Sequence, residues 1–242
     1  MPEPVNQTVT HGVYGWASRV LDRLLPARCL VCGERAPNGR DLCGFCAESL
    51  PWLGPACRRC ALPLGLDAGL CGDCLQKPPP QHGTRSAFAY HAPLDRLLPR
   101  AKFHGDLAGL RLLSRLMAEG LADAERPHAL VPVPLHLARL RRRGYDQALE
   151  LARPLGRGLG VPLRGDLLRR VRATAAQSRL DATARRRNLR GAFAVPAGVP
   201  VPAHVALVDD VMTTGATARS AATALLRAGV HRVDVWVCAR VP

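Results

Sequence analysis

The chain is poor in lysine, poor in aromatic side chains and without any long apolar run. Of its 34 basic residues only 2 are lysine, and Phe, Trp and Tyr together make up 4% of 242 residues. No stretch approaches the roughly 18 apolar residues of a membrane-spanning helix, which excludes that class of protein. The opening "MPEPVNQTVTHGVYGW" has an early acid, no basic lead and no continuous apolar core, so it does not read as a signal peptide. The expected compartment is the cytoplasm. A hydrophobic fraction of 48% excludes disorder and allows one or two packed domains. Scarce aromatics also limit base stacking, since only Tyr145 and Phe193 lie near the basic part of the chain.

Positive charge is plentiful. The net charge is +15, and it is unevenly placed. Residues 1–80 carry 8 basic and 7 acidic side chains, whereas residues 139–190 carry 15 arginines against 4 acids. Such a concentration favours polyanions, either nucleic acid or phosphorylated small molecules. Arg139, Arg141, Arg142 and Arg143 form one group within it, and Arg185, Arg186 and Arg187 another.

Nine cysteines in a cytoplasmic chain suggest metal rather than disulfides. Eight of them form Cys-x-x-Cys knuckles, Cys29/Cys32, Cys43/Cys46, Cys57/Cys60 and Cys71/Cys74, each starting 14 residues after the one before. Two knuckles complete a tetrahedral thiolate site, so eight sulfurs make two structural zinc sites with no open position for catalysis. The second and fourth knuckles share "LCGxC" while the first and third do not, so the repeat is 28 residues long. Sequential pairing follows more naturally than a cross-braced arrangement. Gly44 and Gly72 are expected at positive φ near the metal. Cys238, alone in the alternating "VDVWVCAR", reads as a small buried hydrophobe.

Residues 1–27 hold Val13, Trp16, Val20, Leu21, Leu24 and Leu25 at helical spacing, and residues 28–78 hold the knuckles. The proline-rich "QKPPPQHG" reads as a linker to a third region, 84–242. There, strand-like "SAFAYH", "HALVPVP", "DLLRRV", "HVALVDD" and "VDVWVCAR" alternate with helix-like segments. "LAGLRLLSRLMAEGLA" places Leu107, Leu110, Leu113, Leu116, Met117 and Leu121 on one side, and the helix at "GYDQALELARPLGRGLG" is bent or interrupted at Pro154. This is the alternation of an α/β fold, a mostly parallel sheet with helices on both faces. Ligands bind such sheets beyond the carboxyl ends of the strands.

In "VALVDDVMTTGATARS" the acids Asp209 and Asp210 fall at or just past a strand end. Adjacent carboxylates there can accept hydrogen bonds from two vicinal hydroxyls or help hold magnesium. Thr213, Thr214, Gly215, Ala216 and Thr217 follow, leading into a helix whose free N–H groups and hydroxyls form a phosphate cradle. The segment lacks the GK[ST] ending of a Walker-A loop. A diol binder beside a phosphate cradle suits a ribose 5-phosphate.

This stretch resembles the phosphoribosyl-pyrophosphate signature of type I phosphoribosyltransferases. More of the chain, through "KFHGD", "VPVPLHLARLRRRGYDQALELA" and "TAAQSRLDATARRRNLRGAF", resembles the ComF-type competence proteins, GntX-like members included. That resemblance implies a double zinc ribbon joined to a type I phosphoribosyltransferase-like domain. It implies that Asp209 and Asp210 meet ribose hydroxyls and that Thr213 to Thr217 wrap the 5-phosphate, with magnesium accompanying phosphoribosyl pyrophosphate. Pro134 to Gly144 would face the pyrophosphate, Tyr145, Asp146 and Gln147 would open the next helix, and Gln177, Leu180, Arg185, Asn188, Ala192 and Phe193 would belong to a long arm. The chain departs from the family at Pro99, inside an expected helix, and at Ala101, where a larger apolar residue is expected. The implied role is binding single-stranded DNA in natural transformation, with other DNA-uptake or recombination proteins as partners. An active phosphoribosyltransferase of nucleotide salvage or biosynthesis, and a zinc-ribbon adaptor without catalysis, are the alternatives.

Overall fold

The computed structural model describes residues 27–36, 41–66, 69–172, 189 and 191–242. The expected helix near the N-terminus and the positions Gln177, Leu180, Arg185, Arg186, Arg187 and Asn188 lie outside the described residues. The chain divides into two compact units, Met1–Leu50 and Pro51–Pro242.

The first unit holds one ribbon, built from the knuckle at Cys29 and Cys32 and a short helix, α1 (Gly44–Glu48). In the knuckle, Cys29 N donates to Glu34 O at 2.8 Å and Gly33 N donates to Cys29 O at 2.8 Å. Twenty-eight residues on, in the second unit, Cys57 N donates to Leu62 O at 2.9 Å and Ala61 N to Cys57 O at 2.7 Å. The second ribbon also ends in a five-residue helix, α2 (Gly72–Gln76), and Cys71 caps it with the same φ −80° and ψ 161° that Cys43 adopts before α1. The repeat is therefore conformational as well as compositional.

The positive φ falls elsewhere than the glycines of "LCGxC" suggested. Gly44 and Gly72 open right-handed helices, whereas Gly33 (φ 79°) and Ala61 (φ 54°) take the left-handed conformation. The reason lies in the turn. The chain must double back directly after the second cysteine of a knuckle, while the third cysteine simply starts a helix.

In the second unit four strands form a parallel sheet in the order β1-β6-β5-β2, where β1 is Gly83–Ala89, β2 Ala129–Pro132, β5 His204–Met212 and β6 Arg232–Arg240. A separate antiparallel pair joins β3 (Arg169–Arg170) to β4 (Phe193–Ala194). Helices α4 (Leu107–Gly120) and α6 (Gln147–Leu159) pack on each other and on one face of the sheet, and α7 (Ala216–Arg227) packs on the other. Covered on both faces, β5 needs a continuous apolar run, and His204 to Val208 are all buried. Val205, Leu207, Val233, Val235 and Val237 share a buried cluster with Ala221, Ala222 and Leu225 of α7.

Periodicity located the elements better than their limits. Strand β1 starts before "SAFAYH" and stops at Ala89, and "DLLRRV" contributes only two strand residues because Leu167 and Leu168 are used as buried packing. Leu107, at the first turn of α4, is exposed, while Leu112, which the apolar side did not include, is buried. Neither proline interrupts its helix: Pro99 lies within α3 (Leu94–Phe103) and Pro154 within α6. Each removes one N–H donor, but buried Leu94, Leu97 and Leu98 in α3, and Leu151, Ala152 and Leu155 in α6, hold the helices through packing.

The second ribbon is woven into the sheet of its own unit. Arg240 Nε, at the end of β6, donates to Cys60 O at 2.9 Å, and Thr84 of β1 donates through Oγ1 to Arg59 O at 2.7 Å. The proline-rich stretch between them is tied down as well, with Arg59 Nη1 donating to Gln81 O at 3.0 Å and Gln81 fully buried.

One termination positions the site. Strand β2 pairs with β5 only as far as Pro132 opposite Val208, and β5 then continues to Met212 against β6. Asp209 and Asp210 therefore sit within β5, not past its end, on the side where its β2 neighbour has stopped.

Candidate ligand pocket and metal centres

The eight knuckle sulfurs form two sets, Cys29, Cys32, Cys43, Cys46 and Cys57, Cys60, Cys71, Cys74, each with its four Sγ atoms within 4.8 Å of one another. The pairing is sequential. Cys32 Sγ lies 3.7 Å from Cys43 Sγ, and Cys60 Sγ lies 3.6 Å from Cys71 Sγ. Tetrahedral zinc with bonds of about 2.3 Å requires sulfurs about 3.8 Å apart, so the donor set fits two structural zinc ions. Burial raises the Cys29 and Cys57 thiols, but neighbouring backbone N–H groups outweigh it and bring them to about 6 and about 7. Cys238, fully buried in β6, has its thiol pushed up by burial and then by Asp210, which suits an inert packing residue.

The second site is a cavity of about 280 Å³ at the carboxyl end of β2, where β5 is left without that neighbour. Its lining includes Asp209, Asp210, Thr217, Arg139, Arg143, Asp146, Gln147, Lys102, Phe103 and Arg170. Asp209 and Asp210 both line the cavity, close enough for Asp210 to act on the Asp209 carboxyl. Asp210 meets Lys102 of α3, with Oδ2 3.6 Å from Nζ. Asp209 faces the start of α7, sharing an adjoining hollow of about 20 Å³ with Thr213, Gly215, Ala216 and Thr217. Thr217 lines both spaces.

Local sequence explains the turn. Gly215 stands at φ 70° directly before α7, and a Cβ there would approach Met212 Cε to 2.6 Å. The left-handed conformation is what calls for glycine, since the Met212 side-chain end could give way. Thr214 lines neither hollow, and its carbonyl accepts from the Arg219 guanidinium.

The other wall comes from the segment after β2. His136 caps α5 (Leu137–Arg143) through Nδ1, which accepts from Ala138 N at 3.2 Å, and the helix ends at Gly144 in the left-handed conformation. Arg139 and Arg143, one turn apart, point into the cavity, while Arg141 and Arg142 are exposed and do not line it. Asp146 caps α6: Oδ1 accepts from Ala148 N at 3.0 Å and Leu149 N at 3.3 Å, and Oδ2 accepts from Leu135 N at 2.7 Å. One carboxylate thus fixes the wall on both sides of α5.

Charge is held under tension here. Burial, reinforced by Asp210, raises the Asp209 carboxyl well above the ordinary range. Burial raises Asp146 too, despite its three N–H donors. On the basic side, burial and then Arg143 and Arg142 lower Arg139, and burial and then Arg139 lower Arg170. A ligand bringing both cationic and anionic groups would relieve both sets.

Five residues predicted from sequence thus meet in one cavity, Asp209, Asp210, Thr217, Arg139 and Arg143, with Thr213, Gly215 and Ala216 alongside. Sequence reasoning missed Lys102, Phe103 and Arg170 as lining. Lys102 and Phe103 belong to "KFHGD", a carrier of the family resemblance, which was the available signal; Arg170 had none beyond its charge. Of the two aromatics expected near the basic region, Phe193 is buried with Arg170 at 5.4 Å from its ring centre. Tyr145 donates its hydroxyl to Ala101 O. A roomier hollow of about 510 Å³, between the second ribbon and the start of β6, is crossed by Arg85–Asp123, Arg232–Glu125 and Arg232–Asp234 ion pairs.

Comparison with known proteins adds four findings. Residues 20–75 match the double zinc ribbon domain family. The chain is 38% identical over 224 residues to the DNA utilization protein YhgH of Salmonella typhi, which covers 89% of this chain and 98% of that protein. It is 37% identical over 224 residues to competence protein F of Haemophilus influenzae, covering 88% and 96%. Competence protein ComFC of Streptococcus pneumoniae is more distant, at 25% over 234 residues, covering 88% of this chain and 100% of that protein.

Metal analysis is expected to find two zinc ions per chain. Cys57→Ser with Cys71→Ser should retain one and lower the main thermal transition by roughly 5–10 °C, because the second ribbon is bonded into the sheet. Cys29→Ser with Cys43→Ser should also retain one but leave that transition nearly unmoved; equal losses from both pairs would contradict this. The folded chain holds the Asp209 proton more tightly than the unfolded chain, so stability falls as pH rises from the ordinary carboxylate value toward the raised one. Asp209→Asn is therefore expected to raise the denaturation midpoint at neutral pH, with the gain vanishing below about pH 4. A loss at neutral pH in urea titrations would contradict it.

Proposed function

This chain belongs to the family of competence protein F and the DNA utilization protein YhgH, and from that premise we propose that it handles single-stranded DNA and carries a pocket for phosphoribosyl pyrophosphate. The observation that carries the pocket is the meeting of Asp209, Asp210 and Thr217 with Arg139 and Arg143 around one cavity. In this reading the acid pair receives the vicinal hydroxyls of the ribose. The N–H groups and hydroxyls of Thr213 to Thr217 take the 5-phosphate at the start of α7. Arg139 and Arg143, with Arg170, oppose the charge of the pyrophosphate.

Magnesium fits as a ligand-borne ion. Among the described residues the only groups of three or more potential metal ligands within 4.8 Å are the two cysteine sets, so Asp146, Asp209 and Asp210 do not form a ready cage. A magnesium ion would take most of its six oxygens from phosphate and water, with one or two from this acid group. When bound, it neutralises phosphate charge. The positive charge would favour the ionised form of Asp209, whose carboxyl burial otherwise raises.

DNA handling follows from the names and similarity of the relatives together with the charge pattern. The exposed Arg141 and Arg142 beside the pocket would meet phosphates of a strand passing its mouth, and Arg185, Arg186 and Arg187 are proposed for the same role. Phosphate contacts give affinity without sequence preference, as a protein acting on incoming DNA of any sequence requires.

Titration calorimetry with phosphoribosyl pyrophosphate and magnesium tests the pocket. Binding is expected for the wild type and is expected to be lost in the Asp209→Asn/Asp210→Asn double variant; undiminished heat from that variant would remove the ribose assignment. For DNA, log affinity is expected to fall against log salt with a slope of about −0.7 for each phosphate neutralised. A flat profile would remove the polyanion assignment.

A further inference from the structure

The pocket's mouth carries a feature that neither sugar nor phosphate explains. Phe103 is 70% exposed, a large aromatic ring left in water at the last position of α3. The helix buries Leu94, Leu97, Leu98 and Ala101 at the spacing of one face, and Phe103 falls off that face. Its ring lines the cavity instead, beside Lys102. On the facing helix the Arg143 guanidinium lies 5.9 Å from the ring centre, within the range of a cation–π contact. Leu137 and Val171, which stand two residues and one residue beyond the lining Leu135 and Arg170, are exposed as well.

Two donors deeper in the same cavity are unsatisfied. Gln147 is only 4% exposed, yet its Nε2 has no hydrogen-bond partner, and Arg143 Nη1 is buried without one. A buried donor without an acceptor is destabilising and is kept where a ligand supplies the acceptor. Phosphate alone would satisfy the donors but would gain nothing from the phenyl face. A saturated apolar ligand would use the face but not the donors. A nucleobase uses both, since it has a flat π surface to lie on Phe103 and ring-nitrogen or carbonyl acceptors at its edge for Gln147 and Arg143.

We propose that Phe103 is a stacking platform for a nucleobase at the pocket mouth, with Gln147 Nε2 and Arg143 Nη1 reading the acceptor edge of that base. The inference rests on the polyanion reading of the same cavity given above. The favoured source of the base is a single strand of DNA, whose flanking phosphates would meet exposed Arg141 and Arg142, while a free nucleoside shares the base but lacks those phosphates. Stacking on one ring is sequence-tolerant because every base has a π face, whereas the donors favour bases with an acceptor on the inserted edge.

Fluorescence of 2-aminopurine, which falls on stacking, tests the proposal. One arm uses a short single-stranded oligonucleotide with one 2-aminopurine, a second uses the free 2-aminopurine riboside, and a third uses the oligonucleotide with an abasic site in that position. With wild-type protein, quenching is expected in the oligonucleotide arm. Phe103→Ala should abolish that quenching and weaken the oligonucleotide by roughly five- to a hundredfold, while Phe103→Tyr retains both. Against the abasic strand, Phe103→Ala should bind as the wild type does. Quenching of the riboside as well, lost in Phe103→Ala, supports the platform and identifies the free base as a second source. Salt-sensitive DNA binding with no quenching, or with quenching intact in Phe103→Ala, overturns the platform and leaves the DNA reading standing. Absence of any DNA or riboside binding overturns both. Because Phe103 is exposed, its alanine variant is expected to fold, which circular dichroism checks.

Discussion

Two neighbouring carboxylates on one strand repel each other, and the arrangement at Asp209 and Asp210 depends on how that repulsion is managed. The strand does not separate them, since both side chains line one cavity. Lys102 approaches Asp210, and burial, reinforced by Asp210, raises the carboxyl of Asp209 well above its ordinary range. The rest is left over. Asp209 has no cation within salt-bridge distance among the described residues, and the basic residues across the cavity are themselves lowered by burial and mutual repulsion. A buried acid beside basic residues that burial also disfavours is a costly state for a folded protein. Such a cost is retained where binding offsets it.

This depends in turn on a mismatch of strand lengths. Strand β2 has four residues and β5 has nine, so the longer strand runs past its neighbour by the four positions that include the acids. The chain leaving β2 cannot continue alongside and turns outward into α5, which delivers Arg139 and Arg143 to the opened edge. Asp146 then pins both ends of that excursion by accepting from Leu135 ahead of α5 and from Ala148 and Leu149 behind it. Had β2 matched β5, the ladder would have closed over the place where the cavity lies. The zinc ribbons serve a different end. The second is bonded through Cys60 and Arg59 to the sheet, so its metal also supports the unit that contains the pocket.

Much of this was legible in the sequence because it depends on local spacing. Knuckles at a 14-residue step announce thiolate sites, and a strand followed by acids, small residues and a helix announces the turn that lines the cavity. What escaped notice depends on contacts distant in sequence. The left-handed residue of each ribbon is Gly33 or Ala61, and an alanine there gives no compositional signal. Asp209 and Asp210 were expected at or just past a strand end because an apolar run stops at Val208. The ladder continues because backbone pairing with β6 does not require apolar side chains. The prolines of α3 and α6 suggested breaks that packing prevents. Phe103 lies some 40 residues from the arginines it meets, so a count of aromatics along the basic stretch could not find it.

The central claim is that a sugar phosphate is gripped between the acids of β5 and the amide-lined turn before α7. Amide hydrogen exchange, followed by mass spectrometry with and without phosphoribosyl pyrophosphate and magnesium, tests it most directly. The account requires slowed exchange concentrated in the peptide spanning Thr213 to Thr217, with smaller slowing in the segment from Leu135 to Asp146. Unchanged exchange at Thr213 to Thr217 under saturating ligand, or slowing confined to other parts of the chain, would contradict it.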